Sequence, residues 1–179
     1  VYEKAAEKAD NVFAAGYLLK AGISCSLGEH LMGLGETCLL ICDRHPSDAF
    51  IDRMVAGILD GGDISSVEIM RIERPRCSKA RARELAESIA ATGAGLVVAF
   101  GAAKILDLAR ATLRCLQPER PSLALVTSVV ASNASVGSLA VMYGDDGLPN
   151  GFWKLDCPPE LVAVDPLLVL EAPPHLLAC

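Results

Sequence analysis

Gly95-Leu96-Val97-Val98-Ala99-Phe100-Gly101-Ala102-Ala103-Lys104 is the stretch that decides the fold of this 179-residue chain. Its apolar run does not alternate, which suits a strand covered on both faces, as in a parallel sheet, better than a strand with one wet face. Gly101 ends the run. Ile105, Ala109, Leu113 and Leu116 then recur at helical spacing, so the strand turns directly into a helix. A buried strand feeding a helix through a glycine turn is the building unit of an α/β domain.

The pattern repeats on both sides. Towards the amino terminus, a helix is expected from about Ser78 to Thr92, with Ala82, Leu85, Ala86 and Ile89 on one stripe and Gly93 as its stop. Before it come a strand over Val67 to Ile72 and a helix opened by Pro46 or Ser47. That helix runs to about Leu59, carries Ile51, Met54, Val55, Ile58 and Leu59 at helical spacing, and stops at Gly61-Gly62. Thr37 to Asp43 is a strand ending in a carboxylate, and Gly28 to Gly35 reads as a glycine-capped helix end. Towards the carboxyl terminus, Ser122 to Val126 is a strand, followed by a serine-rich loop from Thr127 to Ser138. Leu139 to Tyr143 pairs across a turn at Gly144 to Gly147 with a segment around Phe152 to Leu155, and Leu161 to Asp165 closes the series. The expectation is one α/β domain over residues 1–179: a Rossmann-like, mostly parallel sheet with flanking helices and a β-hairpin near 139–155.

Composition narrows the classes. With 52% hydrophobic residues the chain can offset the entropy of ordering, and at this length one core is expected. A net charge of −6 argues against a nucleic-acid or anionic-membrane binder. The basic run Arg71, Arg74, Arg76, Lys79, Arg81 and Arg83 is diluted by Glu73, Glu84 and Glu87 and lacks interleaved aromatics, so it reads as a solvated loop leading onto a helix face. Seven cysteines without a CxxC pair suit small buried hydrophobes in a reducing cytoplasm. The first residues hold no apolar signal-like segment, and the long uncharged stretch from Pro121 to Gly144 is too rich in serine for a membrane span.

Ligands of open parallel sheets sit outside the carboxyl ends of the strands. Three features fall there. Asp43 either caps the following turn or accepts bonds from ribose hydroxyls. The turn Gly101 to Lys104 presents backbone amides and a helix amino terminus to an anion such as a pyrophosphate. The loop from Ser128 to Ser138 offers hydroxyl and amide donors beside it. Together they point to a nucleotide.

Several motifs carry a family resemblance: Leu-Ala-Val-Met-Tyr-Gly-Asp-Asp-Gly from Leu139, Pro-Glu-Leu-Val-Ala-Val-Asp from Pro159, Ala-Pro-Pro-His-Leu-Leu-Ala from Ala172, and Phe-Gly-Ala-Ala-Lys-Ile-Leu-Asp from Phe100. From near Tyr17 onward the chain resembles the glycerol dehydrogenase branch of the metal-dependent, iron-containing alcohol dehydrogenases, whose fold is shared with dehydroquinate synthase. The resemblance implies an NAD site in the amino-terminal domain of a two-domain enzyme. Asp43 would contact the adenosine ribose. Gly101, Ala102, Ala103, Lys104, Ile105, Leu106 and Asp107 would surround the pyrophosphate and nicotinamide ribose. Ser128, Val129, Val130, Ala131, Gly137, Leu139 and Tyr143 would line the rest, and Asn133 would take the place of a substrate-contacting aspartate.

The resemblance also implies a divalent metal, zinc or iron, held by an aspartate and two histidines of a helical carboxy-terminal domain absent from these residues. His30, His45 and His175 do not match those ligands and read as surface or turn residues, so the chain itself is expected to hold no metal and no catalytic residue. The implied reaction passes hydride from a secondary alcohol or glycerol-like polyol to NAD, in a cytoplasmic homo-oligomer. Five positions depart from the pattern: Ala102 and Ala103 replace loop glycines, Thr127-Ser128 replaces Pro-Thr, and Asn133 replaces the aspartate. These departures keep open a degenerate, non-catalytic nucleotide-binding or interaction module, and a lyase like dehydroquinate synthase.

Overall fold

In a computed structural model describing residues 14–170, the apolar run around Val97 is the central strand β4, Leu96–Gly101, and it leads into helix α3, Ala103–Cys115. Ahead of it lie β1 (Tyr17–Leu19), β2 (Thr37–Asp43), α1 (Asp48–Leu59), β3 (Ser66–Ile72) and α2 (Lys79–Thr92). After it come β5 (Ser122–Thr127), the hairpin β6 (Leu139–Tyr143) and β7 (Pro149–Lys154), β8 (Leu161–Val164) and the short α4 (Pro166–Leu170). Six strands form one sheet in the order β1-β8-β5-β4-β2-β3, each pairing parallel to its neighbour, and β6 pairs antiparallel with β7.

Alternation along each strand splits the core in two. Leu39, Ile41, Val97, Ala99 and Leu125 point to one face, where α2, α3 and the hairpin cover them. Leu40, Cys42, Val98, Phe100 and Ala124 point to the other, beneath α1 and the segment bearing Ile23, Leu27 and Leu31. Both faces of β2, β4, β5 and β8 are dry, which is why these four read as apolar runs, whereas the edge strands β1 and β3 are partly exposed. The thiols behave as hydrophobes: burial pushes those of Cys38 and Cys77 up to about 12.

The helices start and stop where local chemistry directs. Ser47 caps α1 by accepting from the Phe50 amide, and Ser78 caps α2 by accepting from the Arg81 amide. The four residues expected on the buried stripe of α2 are the four buried ones. On α1, Leu59 lies outside the stripe and is exposed.

Two readings at the amino-terminal side need correction. Gly28 to Gly35 is not a helix end: a single 3-10 turn, Gly28–His30, lies there. Its glycine serves close approach, since a Cβ on Gly28 would fall 1.8 Å from the Asp60 carbonyl oxygen. The uninterpreted lead-in contains β1, an edge strand of three residues, too short to show any period. The motif at Ala172 to Ala178, with His175, lies outside the described residues.

Gly57, in the interior of α1, lets that helix press on the backbone at Cys25; an added Cβ would stand 2.2 Å from the Cys25 carbonyl. Glycine to alanine in a helix ordinarily stabilises by up to ~1 kcal/mol. Here the sign reverses, because only backbone could yield. Gly57→Ala is expected to lower stability by about 2 kcal/mol, measured by urea denaturation.

Asp165 closes the sheet at its β1 edge. Its buried carboxylate accepts from the Ser24 hydroxyl at 2.6 Å and from the amides of Ser24, Gly22 and Leu167 at 3.1, 2.9 and 3.0 Å. Burial alone would raise its pKa, but these bonds outweigh it and hold the carboxyl below its ordinary value.

Candidate nucleotide-binding cleft

The chain leaves β2, crosses to β3 on one side, and returns to β4 on the other side of β2. This reversal parts the connections: α1 packs on one face of the sheet, and α2 and α3 on the other. A crevice opens where the direction switches. There, at the carboxyl ends of β2 to β5, lies a cleft of about 690 Å³, within the ~300–1,000 Å³ usual for ligand sites.

The floor is the β4–α3 turn. Gly101 has φ +151°, and a Cβ on it would meet the Ile105 Cβ at 3.2 Å, so the turn demands glycine. Ala102 is the N-cap of α3 and has no side chain to accept a bond. Its carbonyl takes the amides of Ile105 and Leu106, which leaves the Ala103 and Lys104 amides to face the cleft. An uncapped helix amino terminus is an anion site in waiting.

The walls come from four further segments: Asp43 and His45 after β2, Arg74 to Arg76 after β3, Val129, Ala131 and Ser132 after β5, and Tyr143 with Gly147 on the hairpin. Asp43 does cap its turn, since its Oδ1 accepts from the His45 amide at 2.9 Å. That bond uses one oxygen of a carboxylate with four acceptor sites, so the capping role and a ligand role coexist. The Lys104 ammonium lies over the Tyr143 ring, 5.3 Å from its centroid.

Eight expected residues do not line this cleft. Leu106 and Asp107 lie on the buried side of α3, because the first and second residues beyond Ile105 have turned away from the helix mouth. Asp107 accepts from the Val141 amide at 3.1 Å and sits 3.9 Å from Arg110. Burial raises its carboxyl to about 6. Gly137 and Asn133 face each other, the Gly137 amide donating to the Asn133 carbonyl at 2.7 Å. Gly101 is buried beneath the floor, and Ser128, Val130 and Leu139 project elsewhere. Buried Arg110 holds the cleft's serine loop from below, donating to the carbonyls of Ala134 and Gly137.

Conversely, sequence reasoning missed His45, Arg74, Pro75, Arg76 and Gly147. His45 is a turn residue, as expected, but on the cleft wall. The basic run is not simply a solvated face: Arg71 pairs with Asp48 at 2.7 Å, and Arg76 donates to the Asp145 carbonyl at 3.0 Å. Arg74 and Arg76 follow the end of a parallel strand, which is the signal that locates them. Gly147 reaches the cleft through tertiary packing of the hairpin and carries no local signal.

Among the described residues no three His, Cys, Asp or Glu side chains gather into a group that could hold a metal ion. Nor is any described helix long and apolar enough to cross a membrane.

The family model for iron-containing alcohol dehydrogenases matches residues 15–166. The chain belongs to the iron-containing alcohol dehydrogenase family. Among curated relatives, a glycolaldehyde reductase of Halobacterium salinarum is 27% identical over 90% of this chain and 42% of its own length. A glycerol dehydrogenase of Pseudomonas putida is 26% identical over 85% of this chain and 40% of its own. The chain thus spans about two fifths of the length of the curated relatives it matches. A probable glycerol dehydrogenase from Sinorhizobium meliloti superposes with a TM-score of 0.76 over 92% of this chain and 42% of its own, at 22% identity. A sulfoacetaldehyde reductase from Bifidobacterium kashiwanohense, solved in complex with NAD+, gives 0.77 over 96% of this chain and 50% of its own, at 16% identity. The parallel sheet with its added hairpin is therefore the family's fold.

Proposed function

We propose that this chain is the cofactor-holding domain of an NAD-dependent alcohol dehydrogenase of the glycerol dehydrogenase type. The carrying observation is the uncapped α3 amino terminus, set at the switch point of the sheet in a cleft lined by Lys104, Arg74, Arg76 and a single carboxylate. A chain with net charge −6 thus concentrates positive charge in the cleft where an anionic dinucleotide would rest. The amides of Ala103 and Lys104 would hold that diphosphate. The free oxygen of Asp43 would accept a hydroxyl of the adenosine ribose, and Ser132 would supply a further hydroxyl beside the anion. When bound, NAD takes up the hydride released by the alcohol.

In this reading the substrate is a small alcohol or polyol, the protein is cytoplasmic, and the complete enzyme is a homo-oligomer. Metal donors would come from outside these residues. The methyl groups of Ala102 and Ala103 line the cleft and weaken the fit, because they stand where phosphate oxygens approach backbone.

Calorimetric titration of the chain with NAD is expected to give weak binding. Ala102→Gly with Ala103→Gly should tighten it by about tenfold, worth ~1.4 kcal/mol, while costing ~1 kcal/mol or more of stability at the start of α3. The opposite signs separate the site from the scaffold. No heat up to millimolar NAD on folded protein refutes the cofactor reading and favours the degenerate module. Unchanged affinity in the double variant means the loop does not face phosphate.

A further inference from the structure

Three cationic side chains, Lys104, Arg74 and Arg76, line the cleft, and the position of Arg74 identifies its use. In the register of β2 with β3, Asp43 pairs with Ile72. Arg74 follows Ile72 by two residues and lines the cleft together with Asp43 and His45. It therefore sits on the ribose side of the helix mouth, across β2 from the β4–α3 turn. Its neighbours in the basic run are committed elsewhere: Arg71 to Asp48 and the Pro46 carbonyl, Arg76 to the hairpin turn, Arg81 to Glu84. Arg74 is exposed and has no acceptor among the described residues.

A carboxylate at the end of β2 favours a free ribose 2′-hydroxyl and repels a 2′-phosphate, whereas a nearby arginine accommodates that phosphate. This rim has both. Asp43 is partly satisfied by the His45 amide, and the Arg74 guanidinium offers a forked donor set matched to phosphate oxygens. Resting on the proposed cofactor site, we infer that Arg74 receives the 2′-phosphate of a phosphorylated dinucleotide, so that the cleft takes NADP(H) as well as NAD(H).

The test is fluorescence titration of the purified chain with NADH and NADPH. The two dissociation constants should agree within about tenfold. Arg74→Ala should raise the NADPH constant about tenfold more than the NADH constant, as expected for loss of a charge-assisted bond, and Arg74→Glu should widen the gap further. Arg74 is exposed and holds no partner among the described residues, so both variants should keep the parental thermal melt. A wild-type preference for NADH beyond tenfold, or equal weakening of both dinucleotides by Arg74→Ala, overturns the inference and leaves the NAD site standing. Failure of both dinucleotides to bind removes the cofactor reading and this inference with it.

Discussion

Arg110→Met is expected to cost about 3–5 kcal/mol, a large share of the ~5–15 kcal/mol that stabilises a domain. The guanidinium is 3% exposed, and it is the buried counter-charge to Asp107 as well as the tie to the Ala134 and Gly137 carbonyls. Removing it strands a buried carboxylate with only the Val141 amide left to it. Replacing both charges, Arg110→Met with Asp107→Leu, should be milder than Arg110→Met alone, because no uncompensated charge stays buried.

The pH dependence follows from Asp107. Its folded value of about 6 lies above the ordinary 3.8, so the folded state binds its proton more tightly. That contribution is fully present below about pH 4 and is lost as pH rises through about 6. Urea midpoints at pH 5 and pH 7.5 should therefore show Arg110→Met falling further behind the parent at the higher pH, where Asp107 is forced to ionise without its partner. A constant gap would mean that Asp107 keeps its charge state throughout.

Asp165→Ala should cost about 3–4 kcal/mol, since it strands the buried amide and hydroxyl of Ser24 and takes the acceptor from the part-buried amides of Gly22 and Leu167. At ~2–4 °C per kcal/mol for a chain of this size, the melting point should drop by about 10 °C. Asp165→Asn keeps one acceptor oxygen and should lose about half as much. The acid dependence is opposite to that of Asp107. The Asp165 carboxyl is held below its ordinary 3.8, so its contribution is present above that pH and is lost as pH falls through the lowered value. Acid titration of the parent followed by circular dichroism should show this late loss, and Asp165→Ala should lack it. An alanine variant as stable as the parent would show that β1 is anchored by other contacts.

What could be read from the residues was whatever local chemistry decides. β4 and its glycine turn, the stripe of α2, the serine caps and the hairpin all announce themselves within a dozen residues. β1 did not, because three edge residues acquire strand geometry only from pairing with β8. In the cleft, the floor was legible because a strand, a glycine and a helix stand in sequence. The rim was not: Arg74 and His45 matter only once the sheet places the ends of β2 and β3 side by side. Leu106 and Asp107 lie apart from the cleft for the converse reason. Nearness along the chain to a helix mouth does not survive the rotation of the next half turn.

The lone tryptophan sits on β7, its ring held between Lys79 of α2 and Arg114 of α3, at 5.6 and 5.2 Å from the centroid. Its emission thus watches one seam rather than the whole molecule. Because the hairpin also carries Tyr143 of the cleft wall, an intrinsic optical probe is built into the junction between scaffold and site, able to register the hairpin lifting away while the sheet is still intact.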